Sequence, residues 1–111
     1  MRMPNPTLSV DTSGIILAWS REAEALLGYT EAEALGRSVE LIMPEHLRAR
    51  HHAGFGRFVQ TGVSTLPEVT SSPMIHKSGE TIRPWISVKA VYDAQGKIAA
   101  VEAFIRPRDG D

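Results

Sequence analysis

The segment LIMPEHLRARHHAGFGRF spans residues 41–58 and carries three of the four histidines of the chain. Its proline, Pro44, suits the first turn of an α-helix, because the backbone N–H that proline lacks would have no partner there. Gly62, shortly beyond the segment, is typical of a residue that ends a helix. The pattern therefore predicts one long helix from Pro44 to about Gln60.

One side of this predicted helix is apolar and contains a histidine. Its members recur at helical spacing and are Leu47, His51, Phe55 and Phe58. A histidine on an apolar side needs partners for its ring nitrogens. Gly54 leaves no side chain beside the imidazole, although a glycine inside a helix costs about 1 kcal/mol relative to alanine. The combination leaves room for a flat ligand against the helix.

The four histidines do not form a metal cluster. His51 and His52 are adjacent, and adjacent helical residues diverge, so His52 is predicted to be partly exposed. His46 lies five residues before His51, a poor spacing for a shared zinc ion, and no carboxylate completes the set. His76 is predicted to face solvent before a turn. His51 could also be a core histidine whose ring hydrogen-bonds to a backbone carbonyl.

The composition is that of a globular domain. The 111 residues are 42% hydrophobic and 23% charged, which fits one domain with room for a small-molecule pocket. The net charge of −1 predicts neither nucleic-acid binding nor a polybasic membrane patch. No apolar run approaches a bilayer span, and no signal peptide is recognisable. The absence of cysteine excludes disulfides and thiol chemistry and favours a cytoplasmic location.

Two groups of strands flank the helical region. The first group is a predicted hairpin, with residues 8–10 and 15–19 on either side of a glycine-containing turn. The second group holds three predicted strands: one ending near Ile75, then Thr81–Tyr92, then Ile98–Ile105. Side chains alternate along the middle run, so one of its faces is predicted to be core. Pro84 within it implies a bulge or an edge-facing position.

Between the two groups of strands, the spacing of the apolar residues becomes that of an α-helix. Ser20 is the predicted N-cap of a first helix that stops at Gly28. Thr30 and Glu33 have the spacing of a capping box, which predicts a second short helix that ends at Gly36.

The predicted elements follow the order β-β-α-α-α-β-β-β. Two strands, a helical crossover and three further strands are typical of an α+β domain with a five-stranded antiparallel sheet. Residues 7–106 are predicted to form this domain, after a flexible N-terminus at residues 1–6. Residues 107–111 are predicted to be a frayed tail that leads toward a further domain.

Three parts of the chain together resemble a PAS sensor domain: DTSGII (11–16) with LLGYTEAEALG (26–36), the helix segment 41–58, and HKSGE (76–80) with DAQGKI (93–98). The resemblance covers nearly the whole chain and implies the PAS fold. Ser20 departs from the family, since many PAS domains place an asparagine there. Arg106-Pro107 replaces the usual acidic–threonine ending, which leaves the nature of a downstream effector domain open.

Residues 48–58 resemble the haem-bearing helix of oxygen-sensor kinases, oxygen-sensing phosphodiesterases and CO-responsive PAS regulators. This resemblance implies haem b, with His51 as the proximal iron ligand and Arg57 facing a haem propionate. Gly54 and Phe55 would lie beside the haem. Many PAS domains without haem also carry Arg-x-x-His in this helix, so a haem-free domain stays open. The flavin-photosensor branch is excluded, because it needs a reactive cysteine.

The opposite side of the implied haem pocket departs from the oxygen-sensor kinases. Their ligand-binding arginine corresponds to Thr70, so a cationic donor to bound oxygen is missing. Met74 lies nearby, and the CO-responsive regulators use a methionine in this region as the second axial ligand. Ile86 and Val88 match the apolar residues that roof the pocket. More generally, a methionine in a strand is often only a packing residue.

The resemblance favours a haem-based sensor of a diatomic gas, CO or O₂, or of redox state. The alternative is a haem-free PAS module that dimerises or binds a small organic ligand, with His51 as a polar core residue. A homodimer is expected in either case, with Trp85 as a candidate contact, whereas Trp19 is a core or interface residue. No nucleophile–base pair, phosphate loop or carboxylate dyad is recognisable, so no enzymatic activity is predicted.

Overall fold

The computed structural model describes residues 6–63 and 68–108. In chain order its elements are strands β1 (Leu8–Asp11) and β2 (Ile16–Trp19), helices α1 (Arg21–Leu27), α2 (Glu31–Ala34) and α3 (Arg48–Thr61), and strands β3 (Thr70–Ser71), β4 (Met74–Ile75), β5 (Thr81–Ile82), β6 (Trp85–Tyr92) and β7 (Ile98–Arg106). Two 3₁₀ turns, Val39–Ile42 and Glu45–Leu47, lead into α3.

The strands confirm the predicted α+β class. Five of them form an antiparallel sheet in the order β2-β1-β7-β6-β3, and β4 and β5 pair separately as a two-stranded sheet. The chain therefore crosses from the β2 edge to the β3 edge by way of the three helices, and the last strand returns between the two halves.

The prediction of one continuous strand from Thr81 to Tyr92 is wrong. β5 ends at Ile82 and β6 begins at Trp85, because Pro84 has no N–H for the ladder and the strand breaks there. The partner strand breaks in the same place, so that the run ending at Ile75 is divided into β3 and β4. The Pro84 carbonyl accepts a hydrogen bond from the backbone N–H of Ser72 at 3.4 Å, which bridges the break.

Register defines the core face of the sheet. Ile86 lies opposite Ile105, and Val88 lies opposite Ala103. Directly opposed residues of an antiparallel pair point to the same face, and Ala103 and Ile105 are buried. Ile86 and Val88 therefore face the helices. The buried hydrophobic core consists of Leu8, Val10, Ile16, Trp19, Ala23, Leu27, Ala34, Val39, Ile42, Met74, Val101, Ala103 and Ile105.

The predicted caps of the first two helices are present. The Ser20 hydroxyl accepts from the N–H of Ala23 at 3.1 Å, and Gly28 ends α1 with φ of 84°. Thr30 and Glu33 form the predicted capping box of α2.

The predicted start of the long helix is wrong. Pro44 has ψ of 137°, an extended conformation, and the next three residues make a 3₁₀ turn before α3 begins at Arg48. The end is as expected, because Gly62 is the C-cap with φ of 75°.

The ends of the domain are tied to the sheet. The Thr7 hydroxyl donates to the carbonyl of Ile105 at 3.2 Å and accepts from its N–H at 2.8 Å. Of the ends expected to be flexible or frayed, residues 1–5 and 109–111 lie outside the described residues. Within the predicted tail, the guanidinium of Arg108 donates to Ser71 and lies over the ring of Trp85.

Candidate functional site

His51 lies on the side of α3 that faces the core, as the helical spacing predicts. The residue is half-buried, and its imidazole stacks on the ring of Phe55, with 5.6 Å between the ring centroids and 22° between the planes. Phe55 and Phe58 both pack against the buried core. The predicted apolar side of the helix is therefore the side on which α3 contacts the domain.

Burial favours the neutral form of the His51 imidazole. Removal of the ring from water lowers the pKa of His51 from its ordinary value of 6.5. The carboxylate of Glu40 opposes this effect by favouring the charged form, and the neighbouring His52 adds to it. A neutral imidazole has the unprotonated nitrogen that a metal ion requires.

The surface of α3 is uncrowded at Gly54, three residues after His51. A Cβ atom placed on Gly54 would have no atom within 4 Å, although Gly54 is half-buried. None of the fourteen residues of α3 is fully buried. Val88, on the core face of the sheet, is 42% exposed. Neither Gly54 of α3 nor Val88 of β6 is therefore tightly packed.

Tyr92, at the end of β6, approaches the end of α3. Its hydroxyl lies 3.4 Å from where a Cβ atom on Gly62 would be, at the end of α3. The region between α3 and the core face of β6 is called the central cleft below. His51 and Gly54 belong to its helical side and Val88 to its sheet side.

Thr70 and Ile86 are brought together on the sheet side. They are register partners in β3 and β6, so both side chains point to the core face, and both are half-buried. Met74 is separated from them, since it lies in β4, opposite Ile82 in the two-stranded sheet. It is 5% exposed and belongs to the buried core.

Arg57 lies on the exposed surface of α3. Two open cavities on the domain surface are not lined by His51 or by any other residue predicted to hold haem. One, of about 230 Å³, is lined by Arg37, Ser38, Glu40, Leu41 and Arg48. The other, of about 480 Å³, adjoins the residues that follow β7.

The donor set at His51 fits haem better than a bare metal ion. Within residues 6–63 and 68–108, no group of three or more His, Cys, Asp or Glu side chains could hold an ion. Haem brings four nitrogen ligands of its own and needs only one axial side chain from the protein. A single neutral imidazole beside a gap in the helix surface meets that requirement.

The profile of a known family, described as PAS fold, matches residues 2–108. The chain belongs to the PAS family. The helical crossover and the five-stranded sheet agree with that assignment. The protein is a PAS sensor domain. The described part of this PAS domain contains no helix that is long and apolar enough to cross a membrane.

Sensor protein FixL of Bradyrhizobium diazoefficiens is 39% identical to this PAS domain over 59 residues, which are 53% of the chain. The match covers 12% of that sensor protein, so the chain is similar to a small part of it.

Solved structures show the same fold at low identity. A PAS domain from Colwellia psychrerythraea aligns with a TM-score of 0.76 and 17% identity, over 95% of this chain and 86% of that one. The PAS domain of the quorum-sensing receptor RpfR from Cronobacter turicensis, solved in complex with C12:0, aligns with a TM-score of 0.69 and 19% identity, over 92% and 93%.

His76, which is expected to face solvent before a turn, also has a structural role that local sequence does not indicate. Its half-buried ring covers Gly28, where a Cβ atom would be 2.5 Å from Cε1. Its Nδ1 accepts from the backbone N–H of Ser78 at 3.0 Å. The HKSG turn was visible in the sequence, but the facing glycine is 48 positions away, so no local pattern reveals the contact.

Lys77 attaches the same turn to the helices. Its ammonium group forms an ion pair with Glu33, and its backbone N–H donates to the carbonyl of Leu27 at 2.9 Å. Together with His76, these contacts hold the β4–β5 hairpin, which carries Met74, against α1 and α2.

The two tryptophans differ in environment. Trp19 is 4% exposed, and its Nε1–H donates to the carbonyl of Tyr29 at 2.9 Å, so it is a core residue. Trp85 is 40% exposed and lies opposite Arg106 on the outer face of the sheet.

Proposed function

We propose that this PAS domain binds haem b through His51 and senses a diatomic gas, CO or O₂, or the redox state of the iron. The observation that carries the proposal is the half-buried imidazole of His51, whose pKa is lowered by burial, three residues before the uncrowded helix surface at Gly54. A neutral imidazole can ligate iron, and the missing side chain gives a flat macrocycle access to it.

The residues of α3 have distinct roles in this proposal. His51 supplies the axial nitrogen, and Phe55 holds the imidazole plane by stacking. Gly54 offers a flat surface to the macrocycle. Arg57, six residues after His51, offers a guanidinium to a propionate at the solvent edge, where an exposed arginine can make paired hydrogen bonds to a carboxylate.

The sheet side of the central cleft would control what reaches the iron. Haem, when bound, supplies the position at which a diatomic gas is held. Ile86 and Val88 give this side an apolar lining, and Thr70 contributes a hydroxyl but no charge. Met74 is the proposed second axial ligand, which requires its thioether to leave the core in which it now packs.

The test is a titration of the purified protein with haemin, followed by absorbance. The unmodified protein and the His52→Ala variant are expected to develop the same Soret band, because His52 is exposed. His51→Ala is expected to lose the band or to shift it strongly. An unchanged band in His51→Ala, or its loss in His52→Ala alone, would contradict ligation by His51.

A second candidate is a haem-free PAS module that binds a small organic ligand in the central cleft. The PAS domain of RpfR, which has the same fold, was solved in complex with C12:0. In this case His51 is a polar core residue. Protein purified from cells fed a haem precursor distinguishes the candidates, because a colourless product would favour the haem-free module.

The proposed partners follow from the sensor role. A homodimer through the outer face of the sheet would use the exposed ring of Trp85, since exposed aromatic residues are enriched in interfaces. A downstream effector domain would receive the signal through the residues after β7, and the domain itself would have no enzymatic activity. A cytoplasmic location is part of the proposal, because the sequence has no cysteine.

A further inference from the structure

A groove of about 480 Å³ lies where the chain leaves β7, and it is separate from the central cleft. The groove is formed by α1, by the segment from the β4–β5 turn to β6, and by the two residues that follow β7. Its volume falls within the range of about 300–1,000 Å³ that is typical of small-ligand sites. It is called the exit groove below.

The walls of the exit groove include three apolar side chains. Leu26 comes from α1, Ile82 from β5 and Pro107 from the segment after β7. Leu26 and Ile82 are only partly buried, so the groove leaves part of their apolar surface in contact with solvent. An apolar ligand that covers this surface would gain hydrophobic stabilisation in proportion to the area removed from water.

The charged residues of the exit groove give it a positive balance. Of the described residues, Arg83 and Arg108 line it together with one carboxylate, Glu80. Arg83 is exposed, and its guanidinium makes no hydrogen bond or ion pair with the part of the chain that the structure describes. An arginine in this state has its full set of planar donors available to a carboxylate.

The contacts that hold Arg108 at the rim of the groove include Ser71 and Trp85. Its Nη1 donates to the hydroxyl of Ser71 at 3.1 Å, and its Cζ atom lies 4.9 Å from the centroid of the Trp85 ring. These contacts place a second guanidinium at the groove. They also connect the groove to a tryptophan, so that an anion bound to Arg108 changes the surroundings of the Trp85 indole.

We propose that the exit groove binds a small amphipathic anion, a carboxylate carried on a short apolar chain. The carboxylate is held by Arg83, with Arg108 as the second cation, and the apolar chain covers Leu26, Ile82 and Pro107. Because Pro107 and Arg108 form part of the wall, such a ligand contacts the segment that follows β7. The site is independent of whether the central cleft holds haem.

The first test is a calorimetric titration of the full chain with sodium octanoate, accompanied by tryptophan fluorescence. Saturable binding is expected, together with a change in emission from Trp85, since Trp19 is buried. Arg83→Gln is expected to weaken binding about tenfold, the loss of one charge-assisted contact. Arg37→Gln removes another exposed arginine, outside the groove, and is expected to bind octanoate as the unmodified protein does. Equal binding by the two variants would overturn the proposal.

Two further measurements establish the ligand class and the location. Octan-1-ol has the same apolar chain without the charge, and it is expected to bind at least about tenfold more weakly. Equally tight binding of the alcohol would overturn the role of the arginines. Protein loaded with haemin, and the His51→Ala variant, are expected to bind octanoate unchanged. Loss of octanoate binding on haemin loading would place octanoate in the central cleft and overturn the exit groove, whereas failure to bind haemin at all would contradict only the haem proposal.

Discussion

The imidazole of His51 and the phenyl ring of Phe55 lie in a near-parallel stack, 5.6 Å apart, on the core-facing side of α3. The two residues are four positions apart, which places their side chains one above the other on a helix. The stack orients the imidazole plane before any ligand arrives. A ligand at His51 therefore meets a ring whose orientation is already restricted, so that less side-chain entropy is lost on binding.

A leucine at Gly54 is expected to stabilise the empty protein and to weaken its binding of haemin. A side chain there meets no atom, so the gain in helix propensity raises the free energy of unfolding by up to about 1 kcal/mol. The same side chain occupies the space beside His51. Gly56→Leu is the matched control, because Gly56 is equally uncrowded but exposed. Urea unfolding and Soret titrations measure both effects, and equal loss of haemin binding in both variants would contradict the assignment of the cleft.

Met74→Leu is expected to convert the reduced, haemin-loaded protein from a six-coordinate low-spin to a five-coordinate high-spin spectrum. The thioether that would occupy the second axial position is removed, while the core volume is nearly conserved, at a cost below about 1.5 kcal/mol. A five-coordinate spectrum in the unmodified reduced protein would reject ligation by Met74.

The protein that has been loaded with haemin and then reduced is expected to bind CO well and O₂ only briefly. Bound O₂ is polarised and is stabilised by a hydrogen-bond donor, whereas bound CO needs little hydrogen bonding. On the sheet side, Thr70 offers only a hydroxyl next to Ile86. Thr70→Arg is expected to prolong O₂ binding, and the matched variant Thr70→Val is not. Time-resolved absorbance after mixing with O₂ measures the difference. A long-lived O₂ complex in the unmodified protein would show that another donor is present.

Gly28→Ala is expected to destabilise the domain by more than Gly36→Ala. Both glycines have positive φ, 84° and 81°, so both substitutions carry backbone strain of about 1–3 kcal/mol. A Cβ at Gly28 also meets the His76 ring at 2.5 Å, whereas one at Gly36 meets nothing within 4 Å. Urea unfolding measures the difference. In a His76→Ala background, Gly28→Ala should lower the free energy of unfolding by less than it does in the unmodified protein. If the effects of the two substitutions on this free energy simply add, the contact between Gly28 and His76 is contradicted.

Glu33 is expected to contribute to the loss of stability in acid. The hydrogen bond from Lys77, and then that from the Thr30 backbone, lower the pKa of Glu33 below its ordinary value of 4.5. The unfolded chain therefore takes up the proton first, so the contribution is complete above pH 4.5 and is lost as the pH falls through the folded-state pKa. As the pH is lowered through this range, the free energy of unfolding of the Glu33→Gln variant should decline less steeply than that of the unmodified protein. Glu22→Gln, which removes a carboxylate without such partners, should retain the full decline.

Local chemistry made much of the fold predictable. The Ser20 cap, the Thr30–Glu33 box and the C-cap at Gly62 depend on residues within a few positions of one another, and all are present. The break at Pro84 was recognisable only as a possible bulge, because whether a proline bends or divides a strand depends on its partner strand. The start of α3 at Arg48 likewise depends on how the preceding turn packs.

Only the helical side of the candidate site was predictable from the sequence. Helical periodicity is sufficient to place His51 and Phe55 on one side of α3, and the structure agrees. The exposure of Val88 and the burial of Met74 depend on the distance between a helix and a sheet, and on the separation of β4 from the main sheet. Neither quantity is encoded by the spacing of residues in one segment.

Helix α3 buries none of its fourteen residues completely. Beyond the contacts of Phe55 and Phe58 with the core, such a helix has little packing of its own, and a ligand that covers its inner side would add to its stability, since tertiary contacts supply most of helical stability. In the proposed sensor, ligand supply would then govern the lifetime of the protein as well as its signal. Molecules made when the ligand is scarce would open first at α3 and be degraded there, so that the cell would accumulate mainly receptors that are already loaded.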